Sequence, residues 1–156
     1  MIIQIGQQAP GFNLHDSQKK NVSLSEQKGH NVLLLFFPLA FTSVCTAELC
    51  NVRDNIASYN NANAKVFGIS VDSPQTLAKF KEDQHLNFTL LSDFNKEASA
   101  AFGCLHDVFS GWMHGVSKRS AFIIDKNGIV RYAEVLDNPG SLPNFEAINK
   151  TLSLLS

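Results

Sequence analysis

The chain has 156 residues, 44% of them hydrophobic, and thirteen basic against fourteen acidic side chains leave a formal charge of −1. That is enough chain for one domain over residues 1–156 with a full core, and too little charge of either sign to seek nucleic acid or an anionic membrane. Met1 to Gly6 lacks a leader pattern, the apolar run 32–37 is too short to cross a bilayer, and three cysteines make no disulfide scaffold, so a reducing, cytoplasmic setting is expected.

Phe12 and Leu14 alternate, the polar stretch Asp16 to Asn21 turns the chain, and Val22 and Leu24 alternate again. This predicts an N-terminal β-hairpin with one face buried. Val32 to Phe37 is apolar at every position, as in a central strand covered on both sides. From Ser43, the residues Val44, Leu49, Val52, Ile56 and Tyr59 recur near helical spacing, predicting one helix that Asn60 to Asn63 closes. Val66 to Val71 reads as a second buried strand. Ser73-Pro74 supplies an N-cap and a proline at the first helical position, and Leu77, Ala78 and Phe80 form that helix's apolar side. Phe88 to Leu91 reads as a short strand, and Lys96 to Phe102 as a short helix that Gly103 ends. Ala121 to Ile124 and Ile129 to Val135 are strands joined by the turn Asp125-Lys126-Asn127-Gly128. A last helix carries Phe145, Ile148, Leu152 and Leu155. Strand–helix–strand alternation calls for a parallel core, and the late hairpin adds antiparallel edge strands. An α/β fold follows, with a mixed central sheet flanked by helices.

The chemistry concentrates at Phe36-Phe37-Pro38-Leu39-Ala40-Phe41-Thr42-Ser43-Val44-Cys45, where an apolar strand ends and a helix begins. Unpaired backbone N–H groups and the positive end of the macrodipole favour thiolate over thiol at a helix start. Pro38 ends the strand and puts an apolar wall beside the sulfur. Thr42 can cap the helix or aim its hydroxyl at the site, since a hydroxyl both donates and accepts. Glu48 lies three residues beyond Cys45 on the same helical face, and so close a carboxylate makes sense only if a cation answers it. Arg119 is the candidate, because it alternates with Ala121 and Ile123 and leads into the core, whereas Lys118 points the other way. The blander readings are an inert buried cysteine, a plain N-cap, a solvated carboxylate and a snorkelling arginine. The inert-cysteine reading explains neither the helix start nor the threonine and arginine. The other three stay open, and Arg119 stands out only through the motif Pro38-x-x-x-Thr42-x-x-Cys45.

Pro38-x-x-x-Thr42-x-x-Cys45 with Arg119 before a late strand resembles the active-site pattern of the peroxiredoxins. Gln7 to Leu14 is similar to that family's opening segment and Arg119 to Asp125 to its arginine strand. Phe36 to Thr42 with Glu48-Leu49 resembles the alkyl hydroperoxide reductase E-like branch, and Cys45-x-x-x-x-Cys50 the bacterioferritin comigratory protein branch. The resemblance implies a thioredoxin-like fold and a thiol peroxidase that needs neither metal nor haem. By matching position, it implies Cys45 as the peroxidatic nucleophile passing to a sulfenic acid, Thr42 as the residue bonding the peroxide, Arg119 as the stabiliser of charge, Pro38 as the shield and Glu48 as the residue orienting Arg119. It further implies hydroperoxide substrates, a thiol reductant such as thioredoxin or a glutaredoxin-like protein, and commonly a homodimer.

Several roles stay open in the sequence. Cys50 either resolves the oxidised Cys45 or packs the core. Five residues along a helix separate Cα atoms by roughly 8–9 Å, and a disulfide cannot close beyond about 7 Å without backbone movement, so resolution would require the helix to unwind. Cys104 suits core packing, with a distant resolving role as the alternative. His30, His85, His106 and His114 show no metal-like spacing, although His114 can fall near the site. Phe41, Trp112 and Met113 suit either an apolar rim for organic peroxides or a dimer surface. Two rival functions share the fold. A thiol–disulfide oxidoreductase is disfavoured because Ala47 and Glu48, not a second cysteine, follow Cys45. The other is a redox-sensing or chaperone-like protein that uses Cys45 only as a switch.

Overall fold

A computed structural model describes residues 3–155; Met1, Ile2 and Ser156, at the ends of the domain expected over 1–156, lie outside the described residues. The hairpin is β1 (Asn13–Asp16) and β2 (Asn21–Ser23), followed by β3 (Asn31–Phe36), α1 (Ser43–Asp54), α2 (Ile56–Asn61) and β4 (Ala64–Ser70). Then come α3 (Pro74–Gln84), β5 (Thr89–Ser92), α4 (Glu97–Ala101), β6 (Ser120–Ile124), β7 (Val130–Val135) and α5 (Phe145–Leu155). They form a seven-stranded sheet in the order β2-β1-β5-β4-β3-β6-β7. The β3, β4 and β5 strands run parallel, and β6, β7 and the N-terminal hairpin pair antiparallel. This is the expected mixed α/β sheet.

All six residues of β3 are buried, because helices or chain cover the sheet on both sides. Leu33, Leu35 and Phe37 pack with Leu49 and Val52 of α1, Leu77 and Phe80 of α3, and Ile148 and Leu152 of α5. On the other face Val32, Leu34 and Phe36 pack with Ala98, Phe102 and Phe122. The two-residue period of the strand thus divides one apolar run between two cores.

Three details differ from the sequence reading. The helix expected from Ser43 to Tyr59 breaks at Asn55 (φ −117°, ψ 17°). Its amide donates to the Asn51 carbonyl at 2.7 Å, the local competition that makes asparagine a weak helix former. Leu24 leaves the hairpin and opens a 3-10 turn, Leu24–Gln27. The Ser23 N–H and hydroxyl both donate to Glu26 Oε1, at 3.1 and 2.7 Å, so Ser23-x-x-Glu26 reads better as a helix start than as strand. Of the late hairpin only β7 lies at an edge; β6 is inserted between β3 and β7.

That insertion positions the site. Residue Ser120 pairs with Phe36, so β6 begins where β3 ends and where the turn into α1 starts. Arg119, one residue before β6, therefore arrives beside the mouth of α1. At the sheet centre a Cβ added to Gly68 would stand 2.7 Å from Leu90 Cδ2 and 3.4 Å from Phe37. Gly68→Ala is accordingly expected to lower stability by about 1–3 kcal/mol, read as a lower urea midpoint with an unchanged slope.

Candidate active site

The segment that carries Thr42 and Cys45 is held in an uncommon shape. Phe37 N–H makes a last sheet bond to the Ile69 carbonyl at 2.9 Å, and Pro38 then has no donor to extend the strand. Ala40 N–H donates to Asp72 Oδ2 at 2.8 Å, and the same oxygen accepts the Ser70 hydroxyl at 2.6 Å. Phe41 adopts φ +67°, a left-handed conformation that bulky residues rarely take. Its half-exposed ring packs edge-on against buried Phe80, centroids 5.1 Å apart. Thr42 occupies the N-cap position, but its hydroxyl donates to the Leu39 carbonyl at 2.8 Å and caps no N–H of the first turn.

Cys45 lies in that first turn with no exposed surface. The Arg119 Nη2 donates to its sulfur at 3.3 Å and to the Pro139 carbonyl at 3.1 Å, while Nη1 donates to Glu48 Oε1 at 2.7 Å. Glu48 and Arg119 are also buried, at 0% and 1% exposure of their side chains. Burial discourages charge on Arg119, yet Glu48 and Cys45 outweigh it and hold the guanidinium protonated. Burial acts on Glu48 as well and pushes its carboxyl up to about 7, against the opposing pull of Arg119. Among the described residues Glu48 Oε2 and Arg119 Nε have no hydrogen-bond partner. A cavity of about 240 Å³ opens on this cluster, lined by Pro38, Thr42, Cys45 and Arg119 together with Phe109 and Pro139.

The structure thus brings Pro38, Thr42, Cys45, Glu48 and Arg119 together. Lys118 points away, to Asp137 at 2.8 Å. Cys50 is half-buried on the same helix, and its thiol donates to Gln84 Oε1 at 3.5 Å. Cys104 is sealed in the opposite core, where burial pushes its thiol up to about 12. His114 turns to the Asp107 carbonyl at the surface, so the loop it shares with Phe109 contributes Phe109 to the cavity instead. Trp112 is 71% exposed. Sequence reasoning missed Asp72, Phe109 and Pro139. Asn138-Pro139-Gly140 is legible as a turn, but nothing in it signals a carbonyl aimed at an arginine. Among the described residues no group of three or more His, Cys, Asp or Glu is placed to hold a metal, and no helix is long and apolar enough to span a membrane.

A thioredoxin-like sheet with a helix-start cysteine facing a buried arginine is the architecture of the peroxiredoxins. The crystal structure of peroxidoxin BcpB from Mycobacterium tuberculosis superposes with a TM-score of 0.86 over 99% of both chains at 28% identity. Alkyl hydroperoxide reductase E of Mycobacterium tuberculosis is 35% identical over 144 residues, 90% of each chain. Peroxiredoxin Bcp of Escherichia coli is 37% identical over 131 residues, 83% of this chain and 84% of its own. The profile of the AhpC/TSA family matches residues 5–133, and the chain belongs to that family.

The raised Glu48 carboxyl has a measurable consequence. The unfolded chain releases this proton near 4.5 and the folded one near 7, so between those values the folded state binds more protons. The stability tied to Glu48 is then fully present below about pH 4.5 and is lost as pH rises through about 7, on the order of 1–3 kcal/mol. Urea unfolding across this window should show that decline in the wild type and a flatter profile in Glu48→Gln.

Proposed function

We propose that the protein is a cytoplasmic thiol peroxidase, acting as a single thioredoxin-like domain, that reduces hydrogen peroxide and alkyl hydroperoxides through Cys45. The observation that carries this reading is the Arg119 Nη2 to Cys45 Sγ hydrogen bond of 3.3 Å, with Arg119 itself fixed by Glu48 at 2.7 Å. A guanidinium held in place stabilises negative charge on sulfur and on the oxygens of a bound peroxide without reorganising.

In the reaction the Cys45 thiolate attacks the terminal peroxide oxygen, which keeps its hydrogen. The O–O bond breaks, an alkoxide or hydroxide leaves and takes a proton from water, and Cys45 is left as a sulfenic acid. Thr42 has committed its proton to Leu39, so its oxygen is available to accept the peroxide O–H and turn the terminal oxygen toward sulfur. Pro38 keeps bulk water from the sulfur, and Phe109 gives the cavity an apolar wall suited to an alkyl group.

Cys50 then attacks the sulfenic sulfur, releasing water and forming a Cys45–Cys50 disulfide that a thiol reductant such as thioredoxin or a glutaredoxin-like protein cleaves. Its half-exposed position supports this role over that of sealed Cys104. Both cysteines lie on α1, where regular helix keeps their Cα atoms roughly 8–9 Å apart, so resolution unwinds part of α1. A homodimer that covers exposed Val108 and Trp112 is the assembly we propose.

Mutation separates the roles. Cys45→Ser should abolish peroxide reduction, whereas Cys50→Ser should keep the first turnover in rapid mixing. Arg119→Met should slow sulfur oxidation by roughly 10²–10³-fold with an unchanged circular dichroism spectrum; an unaltered rate would remove Arg119 from the chemistry. Insulin reduction at a thioredoxin-like rate would instead make the protein a disulfide oxidoreductase, and stoichiometric oxidation without turnover would make it a sensor.

A further inference from the structure

The two halves of α1 are built unlike each other. At its start Thr42 caps no N–H of the first turn, and Phe41 just before it carries a left-handed backbone. The Thr46 hydroxyl bonds back to the Thr42 carbonyl at 2.7 Å, sharing it with the Thr46 N–H at 2.9 Å, a back-bond that slightly weakens a helix. Beyond Leu49 the helix is tied to the end of α3. Arg53 Nη1 donates to the Gln84 carbonyl at 2.5 Å, one of the last carbonyls of α3 that lack a partner within their own helix. The Asn87 amide donates to the Arg53 carbonyl at 3.2 Å, and the Cys50 thiol to Gln84 Oε1 at 3.5 Å. Arg53 also pairs with Asp54 at 2.9 Å. The Cys50 thiol is therefore held by Gln84 of α3, an element that takes no part in lining the cavity.

We propose that Gln84 and Arg53 are positioning residues for the resolving step: they clamp the Cys50 half of α1, so that unwinding stops before Cys50 and Cys45 is the sulfur that travels. The inference rests on the reading of Cys50 as the resolving cysteine. The step is Cys45–SOH plus HS–Cys50 giving the disulfide and water, with the peroxide already consumed as the oxidant. A fixed thiol shortens the search of the mobile one, because two reacting groups meet faster when one has been oriented in advance. Without the clamp the whole helix frays, and both sulfurs wander.

Rapid mixing of the full chain with hydrogen peroxide, followed by Trp112 fluorescence and by intact mass on quenched samples, tests this. Gln84→Leu removes the acceptor for Cys50 at similar bulk, Arg53→Met removes the fork, and Arg53→Lys restores a cation. Oxidation of Cys45 should stay within about twofold of wild type in all three, while disulfide formation slows about tenfold or more in Gln84→Leu and Arg53→Met and recovers in part in Arg53→Lys. The slowed variants should accumulate the one-oxygen adduct and, with excess peroxide, the two-oxygen adduct. Disulfide formation at the wild-type rate in Gln84→Leu would overturn the clamp, as would equal slowing of both steps. A wild-type protein that keeps one added oxygen and never loses two hydrogens would overturn the resolving role of Cys50 itself. Should Arg53→Met not fold, Gln84→Leu decides alone.

Discussion

The buried guanidinium of Arg119 is the constraint around which the site is arranged. A charge removed from water is tolerated only where the surroundings answer it, and losing one partner of such a group costs more than forming the pair ever contributed. Here the answers come from separate parts of the chain: Cys45 and Glu48 from α1, and the Pro139 carbonyl from the loop after β7. The arginine itself arrives at the start of β6, whose antiparallel insertion next to β3 puts it at the mouth of α1. The topology, the helix start and the loop therefore have to be correct together before the charge is satisfied. Among the described residues Arg119 Nε and Glu48 Oε2 find no hydrogen-bond partner.

The turn before α1 shows the same trade at the level of the backbone. Phe41 at φ +67° is a conformation that local preference opposes, and it persists because its neighbours leave no alternative. Asp72 fixes Ala40 from the end of β4, Phe80 holds the Phe41 ring, and the Thr42 hydroxyl closes on Leu39. The Thr42 oxygen accepts no N–H of the first turn, so α1 has no side-chain cap. Helix stability is surrendered at the position where the proposed reaction uses an uncapped first turn and an available oxygen lone pair.

Much of this was legible in the residues themselves. The unbroken apolar run of β3 announced a strand covered on both faces, and the helical spacing after Ser43 announced α1. The spacing of Cys45 and Glu48 on one helical face and the alternation of Arg119 into the core made the cluster possible, but Arg119 stood out only through the resemblance to the peroxiredoxin pattern. What escaped at the site depended on contacts between segments distant in sequence. Asp72 and Pro139 act through single hydrogen bonds to backbone or from an arginine, and such bonds leave no periodic trace. The break at Asn55 arises from one side chain competing for one carbonyl, against an apolar pattern that continues through Ile56 and Tyr59. Periodicity reports which face is buried and is blind to where a backbone ladder is interrupted.

The proposed chemistry also changes what holds α1 together. In the proposed reaction a Cys45 thiolate is attracted both by Arg119, 3.3 Å away, and by the positive end of the helix, and that attraction supports a first turn with no side-chain cap. When sulfur attacks the peroxide, the charge departs with the leaving oxygen, and the sulfur that remains is a weaker partner for the guanidinium. The folded turn loses its electrostatic support at the step after which Cys45 must move, while the strained backbone at Phe41 persists. Opening then needs no effector, since oxidation itself removes the interaction that kept the turn closed. Reduction restores the charge, and with it the reason for the helix to reform.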